Sequence, residues 1–128
     1  MSRKESREIL FQLVFEMCFN GQKNELSLEN ALAGISDALD KKYVTEVYNG
    51  VSERYDELSF DIGKKADGFS LDRIFKVDLA IMLVALYEIR YYKIPTAVAV
   101  NEAVELAKKY STEKSATFVN GVLASLVK

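Results

Sequence analysis

The sequence predicts an all-α fold, a compact single domain of about six to seven helices over residues 1–128, and three observations predict it. Apolar residues recur at three- and four-residue intervals along most of the chain, the period of an amphipathic helix and not the alternation of a half-buried strand. One Pro and six Gly in 128 residues leave little turn chemistry for a many-stranded fold. Hydrophobic residues make up 49% and charged residues 28%, the balance of a chain that buries a core and does not stay disordered.

The elements follow in order. Leu10, Leu13, Val14 and Met17 lie on one face of a first helix expected over residues 3–19, and Asn20-Gly21 stops it. Ser27 is placed to cap a second helix, with Leu28, Ala31, Leu32 and Ile35 on its inner face. A longer third helix starts near Asp40 and carries Val44, Val47, Tyr48, Val51, Tyr55, Leu58 and Ile62 inward, with Gly50 a slight weakness within it. Gly63 to Gly68 reads as a loop, and Ser70 as the cap of a short helical turn. The fourth main helix, about 77–92, is apolar nearly all the way round, which places it at the centre of a bundle. Ile94-Pro95 ends it, because the residue before Pro disfavours the α region. A fifth helix over about 96–110 turns Val100, Ala103, Val104 and Ala107 inward; Ser111-Thr112 breaks it; a sixth over about 114–127 buries Val119, Val122, Leu123 and Leu126.

Composition excludes several function classes. Seventeen Lys and Arg against nineteen Asp and Glu give a net charge of −2, which is no histone-like polycation. The charge is uneven: residues 19–61 carry a net −5 and residues 62–128 a net +3, so an anion would be met by the C-terminal half, joined by Arg3, Lys4 and Arg7. The absence of His removes a His-based catalytic base or zinc site, and a single Cys removes an internal disulfide and any CxxC knuckle. Cys18, on an apolar flank, reads as a structural thiol. Glu102 and Glu105 read as a solvated ion-pair face with Lys108 and Lys109. With no Gly-rich phosphate loop and no Ser/His/Asp set, catalysis, a cofactor and a metal are all unexpected. The N-terminal MSRKESRE lacks the apolar stretch of a targeting signal, and the nine-residue apolar run 79–87 falls short of the about 20 residues a membrane span needs. The expectation is a cytoplasmic protein with no membrane contact.

Three groups of side chains are candidates for binding. On the first helix, Lys4, Phe11 and Phe15 share a flank away from the core face. A cation followed by outward rings suits RNA, where bases stack on aromatics and Lys or Arg holds phosphate; a second packed neighbour would bury the same rings instead. On the last helix, Phe118 lies off the inner face one turn after Lys114, placed either for base stacking or as a boundary residue of the core. On the fourth helix, Leu79, Leu83, Leu86 and Arg90 form a stripe that is either plain core or, if uncovered, a partner site.

The C-terminal third carries a more specific signal. Ile94-Pro95 followed by VAVNEAVELAKKYS (Val98 to Ser111), and FVNGVL (Phe118 to Leu123) downstream, closely resemble the NusB family of transcription antitermination factors. Ala85-Leu86-Tyr87-Glu88-Ile89 is similar to the family's helix before the Pro, and Arg3-Lys4-Glu5-Ser6-Arg7-Glu8 echoes its N-terminal pattern more weakly. The resemblance implies two packed three-helix bundles and no catalysis. It further implies binding of single-stranded boxA RNA in nascent ribosomal RNA transcripts together with NusE, a small-subunit ribosomal protein, within an antitermination complex on RNA polymerase. Carried across by motif, Arg3, Lys4, Arg7 and Phe118 would face RNA, with Phe15 standing where the family often has Tyr. Two departures stand out. Glu5 and Ser6 interrupt the basic cluster, and Leu79 and Leu83 replace charged residues usual in the family, which points to a greasier surface for NusE or for a second copy in a homodimer. The alternatives are a protein–protein interaction module using Leu79 and Leu83, or an accessory domain related to those preceding ribosomal RNA methyltransferases. A chain ending at Lys128 with no cofactor loop favours the free-standing factor over the latter.

Overall fold

The computed structural model describes residues 3–66 and 74–127, and among these every regular element is a helix. The helices are α1 (Arg3–Asn20), α2 (Glu25–Ala33), α3 (Ala38–Glu53), α4 (Tyr55–Lys65), α5 (Lys76–Tyr91), α6 (Thr96–Tyr110) and α7 (Glu113–Leu126). Short polar side chains set the starts of α2, α3 and α7. Asn24 Oδ1 accepts from the Ser27 N–H at 3.0 Å, so Asn24 caps α2 and Ser27 lies inside it. Asp37 Oδ1 accepts from the N–H groups of Leu39 and Asp40, which starts α3 two residues before the expected place. Thr112 Oγ1 accepts from the Ser115 N–H at 3.0 Å and caps α7. Each such cap is worth about 1 kcal/mol. At the end of α1, Gly21 adopts φ +76° and its N–H closes on the Met17 carbonyl, a left-handed stop that glycine takes without strain.

The expected long third helix is broken at Arg54, which ends α3 and starts α4. No Gly or Pro stands there, and the apolar series runs straight through. Size explains the bend. A straight helix over residues 38–65 would be about 42 Å long, whereas a compact chain of this length is only about 36 Å across. Bending folds α4 back onto α5 and α7. Gly63, expected in a loop, belongs to α4; Gly68 and Ser70 lie outside the described residues.

Helix α5 is the axis of the molecule and touches α1, α3, α4, α6 and α7. From Leu79 through Leu86 no side chain is more than 2% exposed. The first three helices touch one another and form one group; α4, α6 and α7 gather with α5 into the other, so the break at Arg54 adds a helix to the second bundle. Leu79 and Leu83 therefore belong to the core. Burying each contributes roughly 1.5–3 kcal/mol, and the chain's own helices cover the stripe expected to receive a partner. Gly50 has a larger part than its propensity suggested. A Cβ at Gly50 would lie 2.1 Å from the Tyr87 ring, so the bare backbone is what lets α5 lay that ring against α3.

Candidate nucleic-acid interface

The N-terminal cations of α1 separate into three different environments. Arg7 is 5% exposed and fixed by Glu88 of α5, itself 1% exposed: Nη2 lies 2.8 Å from Oε2, and Nε lies 3.3 Å from Oε1. The Tyr43 hydroxyl donates to Oε2 of the same carboxylate at 2.9 Å. Burial alone would lower the Arg7 pKa, but the hydrogen bond and charge of Glu88 outweigh it and hold the guanidinium above its ordinary value. Burial, then the Glu88 charge, pushes the Tyr43 hydroxyl up. Arg7 is thus a core cation with its fork occupied, and the expectation that it grips phosphate is corrected. Two facing buried charges must pair or be expelled, and here they pair across 81 residues of sequence.

Arg3 lies near the surface above this network. Its guanidinium stacks 4.2 Å from the Tyr43 ring centroid, and its Nε lies 3.5 Å from Asp40. Lys4 is exposed and borders a shallow depression shared with Glu102, Glu105, Lys108 and Lys109 of α6. Lys109 is committed elsewhere: its Nζ and the Tyr110 hydroxyl both meet Glu8 Oε1 at 2.6 Å. Those two hydrogen bonds, that of Lys109 first, hold the Glu8 carboxyl below its usual range. Lys4, Lys108 and Lys114, by contrast, have no ion-pair partner among the described residues.

The rings of α1 form a ladder. Tyr110 packs on Phe11 at 5.0 Å between centroids, Phe11 on Phe15 at 6.1 Å, and Phe15 edge-on to Phe19 at 5.0 Å. Exposure grades along it. Phe11 is buried under Tyr110, Phe15 is half-buried, and Phe19 is open to solvent. The packed-neighbour reading therefore applies to Phe11, while Phe15 keeps an accessible edge.

Phe118 is half-buried on α7, at the wall of a mainly apolar pocket of about 480 Å³ formed with Ile74, the exposed ring of Phe75, Thr112, Lys114 and Ser115. Asp78, in the first turn of α5, completes it. Its Oδ2 accepts from the Ser115 hydroxyl at 3.0 Å, and Ser115 Oγ in turn accepts from Ser111 at 2.7 Å. The Asp78 Oδ1 is buried without a hydrogen-bond partner among the described residues. Burial raises the Asp78 pKa, while the serine hydroxyls pull it part of the way back. The junction between α6 and α7 links the two ring groups, since Tyr110 packs on Phe11 and Thr112 lines the pocket of Phe118.

Sequence reasoning missed Asp78 and Glu88. The available signal was a charge in a helix otherwise apolar all round: such a residue is paired, or it faces a site. It also missed Phe75, which stands just ahead of α5.

The NusB family model matches residues 4–128. The chain belongs to the NusB family. Among its curated relatives, the transcription antitermination protein NusB of Acetivibrio thermocellus is 41% identical over 130 residues, covering all of this chain and 90% of that protein. The NusB of Clostridium botulinum strain Loch Maree is 37% identical over 142 residues, covering 99% of this chain and all of that protein. Among solved structures, T. maritima NusB superposes with a TM-score of 0.90 at 31% identity, over 98% of this chain and 90% of that one. A NusB chain solved with NusE and double-stranded RNA superposes at 0.87 over 97% of this chain and 94% of its own; at 23% identity that likeness speaks to the fold. The family motifs divide cleanly here. In VNEAVELAK, Ala103, Leu106 and Ala107 are packing residues of α6, whereas Asn101, Glu105 and Lys108 face outward; in FVNGVL, Val119, Val122 and Leu123 are core, whereas Asn120 and part of Phe118 remain accessible. No helix among the described residues is long and apolar enough to cross a membrane.

Proposed function

We propose that this NusB-family protein is a cytoplasmic transcription antitermination factor without catalytic activity, which binds single-stranded boxA RNA together with NusE and acts on RNA polymerase. Membership across residues 4–128 and curated relatives of that name at 37–41% identity support the role. The observation that carries the mechanism is the half-buried Phe118 at its apolar pocket, with Lys114, which has no ion-pair partner among the described residues, one turn before it. An unpaired base stacks on the Phe118 ring while Lys114 meets phosphate. Phe15 offers a second ring edge, and Arg3 and Lys4 supply cations at the start of α1. Three phosphate contacts, from Arg3, Lys4 and Lys114, give a log–log salt slope of only about −2. The protein alone is therefore a weak RNA binder, and a partner such as NusE raises affinity by extending the surface. The protein-module reading loses its surface because Leu79 and Leu83 are core.

A gel shift with boxA RNA, with and without NusE, at two salt concentrations tests this. The expected result is weak, salt-sensitive binding alone and tighter binding with NusE. No preference for boxA in either case would refute the role.

A further inference from the structure

We infer that the groove between α6 and α7 is a second RNA subsite, in which Asn101 and Asn120 read base edges and Lys108 anchors the phosphate backbone; this rests on the proposed RNA-binding role. The groove has a volume of about 460 Å³ and lies on the flank of α7 formed by Ala116 and Asn120, nearly opposite the flank that carries Phe118. Its lining includes Val100 and Val104 of α6 and Ala116 of α7, apolar side chains that suit the face of a base. Asn101 and Asn120 line it from the two helices, both exposed, and each amide offers paired donors and an acceptor to a base edge. Lys108 is exposed and without an ion-pair partner among the described residues, and it borders both this groove and the depression that contains Lys4.

Continuity and charge decide the occupant. A strand whose phosphates meet Lys4 at the start of α1 runs on to Lys108 and then has an apolar, amide-flanked trough ahead of it. Glu113 on the α7 side, and Glu102 and Glu105 beside Lys4, keep this region from being a general polyanion track. They confine phosphate to the lysines and leave the Asn pair for bases. That arrangement suits a single strand of defined sequence better than a duplex backbone.

The test is fluorescence anisotropy with labelled single-stranded boxA RNA and a scrambled RNA of the same length. The proteins are wild type, an Asn101→Ala/Asn120→Ala double variant, Lys108→Ala and Phe118→Ala. All the groove changes are at exposed side chains, and circular dichroism checks that each variant is folded. The double variant is expected to reduce the preference for boxA over the scrambled RNA by between about 5-fold and 100-fold. Lys108→Ala is expected to weaken both RNAs alike and to make the salt slope shallower by about 0.7. If the double variant keeps the wild-type preference and Lys108→Ala keeps the wild-type slope while Phe118→Ala loses affinity, the groove inference is overturned and the RNA role stands. If wild type shows no preference for boxA with or without NusE, both fall. If the groove variants leave RNA binding intact and instead change self-association in sedimentation, the groove belongs to a second copy and the inference is overturned.

Discussion

Replacing Arg7 by Ala separates a structural role from an RNA-binding one. In the wild type, Arg7 and Glu88 are both buried, two Arg7 nitrogens lie within 3.3 Å of the Glu88 carboxylate, and Tyr43 adds a hydrogen bond at 2.9 Å. Arg7→Ala leaves that carboxylate buried with Tyr43 as its remaining side-chain partner. Breaking one side of a buried pair costs about 3–5 kcal/mol, a large part of the 5–15 kcal/mol that typically stabilises a domain. For a chain of this size the melting temperature should fall on the order of 10–20 °C. Urea denaturation followed by circular dichroism gives the free energy, and anisotropy well below the melting transition gives RNA affinity. Large destabilisation with near-native RNA affinity in the folded fraction is expected. A triple variant, Arg7→Met with Glu88→Leu and Tyr43→Phe, should recover most of the lost stability, because it removes both charges together with the hydroxyl that Glu88 accepts from. Wild-type stability in Arg7→Ala, with RNA binding lost, would refute the reasoning and return Arg7 to the RNA surface.

Other outcomes follow from the same geometry. Leu83→Arg should destabilise the protein by more than about 3 kcal/mol, since it places a charge in the packed core; a folded, stable Leu83→Arg variant with an altered oligomeric state in sedimentation would contradict the burial of that face. Gly50→Ala should lower stability by on the order of 1 kcal/mol, because crowding against Tyr87 outweighs the gain in helix propensity; a stabilised variant in urea titration would mean that the ring swings aside. Asp78→Asn should stabilise the protein at pH 7. Burial raises the Asp78 pKa in the folded state, so the folded chain holds that proton more tightly than the unfolded chain, and stability is lost as the pH rises through the window between the two values. The advantage of Asn should therefore vanish as the pH falls below about 4. Equal stability of the two proteins at pH 7 would show that Asp78 carries no such cost.

Helix content was legible from periodicity because each surface helix buries one stripe, and the starts and stops near Gly21 and Pro95 are written in local chemistry. The break at Arg54 was not, since it answers to the diameter of the domain and not to a residue at the break. The central place of α5 was legible from apolar residues all round it, and that same observation argued against an exposed Leu79 and Leu83. The charges that the family resemblance led one to expect at those positions pointed the other way, and packing decided. Arg7 and Lys4 look alike in sequence. What separates them is Glu88, 81 residues beyond Arg7 and visible only once α1 lies against α5. Phe11 and Phe15 share a flank of α1, and Tyr110, from the far end of the chain, is what covers the first and leaves the second partly open.

The proposed RNA binding turns on the aromatic ring of Phe118 in the second turn of α7, and Phe118→Ala tests it most directly. Titration of labelled boxA RNA in the presence of NusE should show a loss of affinity between about 5-fold and 100-fold, as expected for one lost base stack, with an unchanged circular dichroism spectrum. Wild-type affinity in a natively folded Phe118→Ala protein would contradict it.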